Sequence, residues 1–176
     1  SRAGVDAINP DQSSFVEQGN LFDLLEQRIE AALQYDLVWL GNVLEHVVDP
    51  VRLMSALRRI VATNGLLIVT VPNDGNDYHE ALLEGRQIQE RFWIAIPDHI
   101  SYFTAESIAR IGNATGWHCA DVQGDFPIDL FLAHPGSNYV EDRANGPAAY
   151  AARLLIEKLI AERGNSAANS FYSALA

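Results

Sequence analysis

Cysteine is nearly missing from this chain of 176 residues, with Cys119 standing alone. One cysteine excludes a disulfide framework and a cysteine-rich zinc site, and it fits a reducing compartment. Basic residues are also scarce, 12 Lys and Arg against 23 Asp and Glu, for a formal charge of -11 at pH 7. That sign repels phosphate, and no long Lys/Arg run offsets it, so no nucleic-acid partner is expected. Long apolar runs are lacking too. The longest, residues 65–71, falls far short of the ~20 residues needed to cross a bilayer, and no basic-then-apolar signal segment opens the chain. The expectation is a cytoplasmic protein with no membrane partner, a single domain over residues 1–176. Its 48% hydrophobic residues are enough for a core.

What is present alternates. Asn20 is placed to cap a helix carrying Leu21, Leu24, Leu25, Ile29 and Leu33. Tyr35 to Leu40 reads as a strand ending at Gly41-Asn42. Asp49-Pro50 opens a second helix, with Leu53, Met54, Leu57, Ile60 and Val61 as its apolar stripe and Asn64-Gly65 as its stop. Leu66 to Val71 suits a strand covered on both faces, as in a parallel sheet. Residues 73–97 read as a lid insertion, with a short helix around Tyr78 to Glu90. Thr104 caps a helix that stops at Gly116, and Trp117 to Val122 is the next strand candidate, with Cys119 as core. Residues 126–146 read as irregular. Pro147 to Arg163 reads as an amphipathic helix within a helical segment 147–176, with Leu155, Leu159 and Ile160 on its apolar side. Both ends read as cut: the opening ends a strand on Asp6, and 170–176 is a helical pattern with no stop signal. The rhythm predicts an α/β domain with a parallel sheet and helices on both faces.

Ligands of such sheets bind at the carboxyl ends of the strands. Asp6 there could accept both hydroxyls of a ribose, or be a surface acid at the turn before Asn9-Pro10. If a helix begins near Asn42, then Asn42, Glu45 and His46 share a face. His46 is then a base or a cofactor contact, and Asn42-x-x-Glu45-His46 could hold a divalent ion, unless Glu45 and His46 merely cap the next helix. His99 is a candidate base beside Asp98, or a hydrogen-bonded tie between the insertion and the sheet. Phe92 and Trp93 either line an acceptor pocket or pack. His79, His118 and His134 find no usable partners in the sequence. No metal ligand set is assigned, because Glu45-His46 alone is too few donors. No nucleophile elbow, phosphate loop or zinc-spaced His/Cys set occurs.

Together the stretches resemble the class I S-adenosylmethionine-dependent methyltransferases. Residues 35–50, YDLVWLGNVLEHVVDP, are similar to that family's fourth strand, Leu-Glu-His turn and Asp-Pro. Residues 58–72 are similar to the helix, Gly turn and fifth strand that follow. Residues 97–104, PDHISYFT, with Gly116-Trp117, resemble a unit of subgroups acting on sugars and other small metabolites. Gly4-Val5-Asp6 looks like the end of the second strand, and residues 15–20 like the third-strand segment that meets adenine.

The resemblance implies a Rossmann-like sheet and S-adenosylmethionine as cofactor, held by Asp6 at the ribose, Asn20 at the adenine and Leu40, Gly41 and Asn42 near the methionine. It implies methyl transfer to an oxygen, less readily a nitrogen, of a small molecule such as a sugar, with His99 taking the proton and His46 at the wall. The family's Gly-rich loop would precede Asp6. Ubiquinone-pathway O-methyltransferases carry a Glu-x-x-Glu-His metal site, whose first position here is Asn42. A non-catalytic binding subunit and a nicotinamide-dependent oxidoreductase stay open as alternatives, as does a homo-oligomer.

Overall fold

The computed structural model describes residues 4–5, 16–124 and 126–163. Those within 1–72 and 96–119 form one compact unit, and those within 73–95 and 120–176 form another.

In the first unit, β1 (Gly4–Val5) pairs in parallel with β2 (Val16–Glu17). Asn20 then caps α1 (Leu21–Glu30), its side-chain oxygen accepting from the Phe22 amide at 2.9 Å. β3 (Tyr35–Gly41) pairs in parallel with β4 (Val61–Thr70). Between them, after the single 3-10 turn Leu44–His46, runs α2 (Pro50–Leu57). Asp49 caps α2, accepting from the Arg52 amide at 2.8 Å, with Pro50 in the first turn where a missing N–H costs nothing.

β4 starts earlier than the sequence suggests. Val61 and Ala62 read as helix, yet the helix ends at Leu57, and Tyr35 donates its amide to the Ile60 carbonyl. Register runs Tyr35 to Val61 and then Leu37 to Leu66, so residues 62–65 bulge. Gly65 makes the bulge possible: a Cβ there would lie 2.9 Å from the Tyr35 carbonyl and 2.8 Å from Val61 Cγ1.

One face of this strand pair packs on the helices. Leu40 joins Leu25 of α1, Leu53 and Leu57 of α2, and Phe103 in the core. α4 (Ala105–Ala114) lays Ile108 and Ile111 against it, and a reciprocal capping box between Thr104 and Ser107 starts that helix. Trp117 turns back onto α2, donating Nε1–H to the Met54 carbonyl at 3.0 Å beneath the Arg58 guanidinium. The other face is open among the described residues: Leu37, Trp39, Leu66 and Ile68 are exposed. The expected double coverage of β4 is therefore not found there. Nor do residues 117–122 form a strand: they join no sheet among the described residues, and Cys119 is exposed rather than core.

The second unit has its own core of Leu82, Ile88, Trp93 and Leu132. It contains α3 (Asp77–Glu84), capped by Asn76, and α5 (Gly146–Ala161). Residues expected to be irregular form 3-10 turns at Ile128–Ala133 and Arg143–Asn145. On the apolar side of α5, Leu155 and Leu159 are exposed and Ile160 is half-buried, while Ala149 is the buried residue of the helix.

Candidate functional site

β3 ends at the core-facing Leu40 and the exposed Gly41. Asn42 follows in the left-handed region, φ 52°, which asparagine tolerates because its short polar side chain can bond locally. Its amide donates to the Thr70 carbonyl at the end of β4, so the two strands finish together. Asn42 therefore ends a strand and does not open a helix. Asn42, Glu45 and His46 do not share a helical face as expected, because only Leu44–His46 turns, and as a 3-10 turn.

That tight turn sends Glu45 inward and His46 outward. Glu45 is 1% exposed, while the His46 side chain is 43% exposed. The Glu45 carbonyl accepts amides from Ile100 at 3.0 Å and Ser101 at 3.1 Å, which docks the segment 98–101 against the turn. The docking brings the two candidate histidines together. Their ring centroids lie 5.0 Å apart, edge to face.

His46 donates from Nδ1–H to the Asp98 carbonyl at 2.6 Å. A carbonyl only accepts, so Nδ1 must carry the proton and Nε2 of the neutral ring is left with its lone pair. Nε2 sits 3.8 Å from Glu45 Oε1. The other carboxylate oxygen of Glu45 is buried without a hydrogen-bond partner among the described residues, and so is His99 Nδ1. Glu45 is not a cap for α2, since Asp49 does that itself. Donor atoms of Glu45, His46 and His99 all lie within 4.8 Å of one another.

The remaining expected contacts fare differently. The Asn20 side-chain oxygen is engaged in capping α1. Gly41 and Asn42 offer an exposed strand end, where the Rossmann rule places a cofactor, whereas the Leu40 side chain is committed to the core. Asp6 lies outside the described residues.

A second polar cluster, in the second unit, escaped the sequence reading. His79 is buried, stacked on Trp93 at 4.8 Å, and donates its Nε2–H to Asp129 Oδ2 at 2.7 Å. Tyr139 donates its hydroxyl to the other Asp129 oxygen. Burial opposes the Asp129 charge, but the bonds from His79 and Tyr139 outweigh it and hold the carboxyl below its ordinary range. Burial, reinforced by the bond to Asp129, pushes the Tyr139 phenol well above its ordinary value. Nothing in the sequence spacing of 79 and 129 signals this pairing. Trp93 and Phe92 pack in this core.

Residues 3–122 match a family described as a methyltransferase domain. The chain is 27% identical over 92 residues to the ubiquinone biosynthesis O-methyltransferase of Aeromonas salmonicida (strain A449), a match covering 52% of this chain and 39% of that protein. The chain thus spans well under half the length of that curated relative. No solved structure matches. No helix among the described residues is long and apolar enough to cross a membrane.

Proposed function

We propose that this chain, which belongs to the family of class I S-adenosylmethionine-dependent methyltransferase domains, moves a methyl group from that cofactor to an oxygen of a small metabolite or sugar. The observation that carries the finer reading is the meeting of His46 and His99, 5.0 Å apart, just beyond the exposed end of β3. The relative named for ubiquinone biosynthesis O-methylation supports oxygen over nitrogen.

When bound, the cofactor supplies an electrophilic sulfonium methyl, so the protein's part is alignment and proton removal. Gly41 and Asn42 hold the methionine portion at the strand end, with Asp6 and Asn20 assigned to the ribose and adenine. His99 takes the proton from the acceptor hydroxyl as the methyl arrives. His46, its tautomer set by the Asp98 carbonyl, forms the wall beside it. Replacing His99 by Ala should lower kcat by about 10²–10⁴ while leaving cofactor affinity within about twofold. Unchanged turnover on a true acceptor removes His99 from the reaction.

A second reading, a binding subunit or a homo-oligomer, is favoured by the exposed side of α5, where Tyr150, Leu154, Leu155 and Leu159 face out. A monomeric mass independent of concentration in sedimentation would count against it. The oxidoreductase alternative assigns no role to the His46–His99 pair and is dropped.

A further inference from the structure

We infer that α5 is a self-association surface, on which two copies of this chain pair their α5 helices antiparallel about a two-fold axis. The inference rests on the homo-oligomer reading above and adds its surface, its direction and its register.

The helix divides into two sides. Ala149 is buried and Ala152, Ile156 and Ile160 are half-buried, at helical spacing, against the turns at 128–133 and 143–145 of the same unit. Arg153 and Glu157 flank that side and pair with each other at 3.0 Å. The opposite side is apolar yet uncovered among the described residues. Tyr150, Leu154, Leu155 and Leu159 are each 48–57% exposed there, beside the small exposed Ala148 and Ala151. An apolar stripe on a helix of 16 residues fits a second helix laid along it.

Charge identifies that second helix as another α5. The chain carries a formal -11, so two copies repel wherever their acidic surfaces meet. Segment 142–163 departs from this balance, with four basic residues and three acidic ones. Two copies meet there without that repulsion.

The order of the charges gives the direction. Exposed Asp142 and Arg143 stand at the N-terminal end of α5, and exposed Glu162 and Arg163 at its C-terminal end. A parallel pair sets each of these charges against its own copy. An antiparallel pair centred between Ala152 and Arg153 sets Arg143 opposite Glu162 and Asp142 opposite Arg163, each twice by symmetry. The same register sets Leu154 opposite Ala151 and Leu159 opposite Gly146, small residues that let the helices approach, with Tyr150 opposite Leu155. A single helix pair falls short of the roughly 1,600 Å² of a standard interface, so the dimer is weak, with Kd on the order of 10–100 μM.

The test is sedimentation equilibrium of the whole chain from about 5 to 500 μM, where a monomer–dimer equilibrium is expected. Leu155→Glu changes an exposed side chain and should weaken the dimer at least about 10-fold. Arg143→Glu and Glu162→Arg should each weaken it about 3- to 10-fold at low salt, and together restore it to within about twofold of the parent. Circular dichroism checks that each variant keeps its helix content. A chain that is monomeric throughout overturns both this inference and the homo-oligomer reading. A dimer indifferent to Leu155→Glu, or one that the charge exchange fails to restore, overturns the α5 pairing and leaves the homo-oligomer reading standing.

Discussion

The imidazole of His46 donates its Nδ1 proton to the Asp98 carbonyl at 2.6 Å, joining the turn after β3 to the segment that carries His99. That bond sets the tautomer of His46, while the Glu45 carbonyl, accepting from Ile100 and Ser101, sets the approach of His99. The expected outcome is direct: in the neutral, metal-free protein, long-range proton–nitrogen correlation spectra should show His46 protonated at Nδ1. Protonation at Nε2 would mean that the Asp98 contact is absent in solution.

Glu45 carries the opposite sign of argument. Its carboxylate is buried with one oxygen unpartnered, so in metal-free protein it should destabilise the fold it sits in. Glu45→Leu keeps the backbone carbonyl that holds Ile100 and Ser101 and removes the charge. A gain of about 1–2 kcal/mol is expected, read as a rise of roughly 2–8 °C in the melting temperature. A fall in melting temperature under chelating conditions would show that Glu45 is already compensated.

In the second unit, Asp129 links His79 to Tyr139. Its folded carboxyl lies below the ordinary 3.8, so the stability it contributes is present above that value and is lost as pH falls through the folded one. Asp129→Asn should cost about 2 kcal/mol at pH 7 in urea titration. The gap between the variant and the parent should narrow below about pH 4. A gap of constant size down to pH 2 would assign the cost to packing instead.

Much of this arrangement is legible in the residues themselves. Asn20, Asp49-Pro50 and Thr104 announce helix starts because capping is local chemistry, and each caps as its sequence suggests. The parallel pairing of β3 with β4 follows from a strand, a helix and an apolar strand in succession. The bulge at 62–65 does not follow, because Asn64-Gly65 looks the same whether it ends a helix or kinks a strand; only the close Tyr35 carbonyl distinguishes them. The apolar side of α5 is legible in the same limited way: periodicity identifies Leu155 and Leu159 without saying what covers them, and both are exposed. At the site, His46 and His99 stand out as residue types. Their meeting depends on amides of residues 100 and 101 reaching the Glu45 carbonyl, a long-range backbone contact that no spacing encodes. His79 and Asp129 are hidden in the same way.

The measurement that bears most directly on the central claim is a calorimetric titration of this chain with S-adenosylhomocysteine, the product form of the proposed cofactor. Saturable one-to-one binding in the micromolar range, weakened by substitution at Asn42, is the predicted result. Absence of any saturable heat at millimolar ligand would contradict the claim that this chain binds the cofactor and transfers its methyl group.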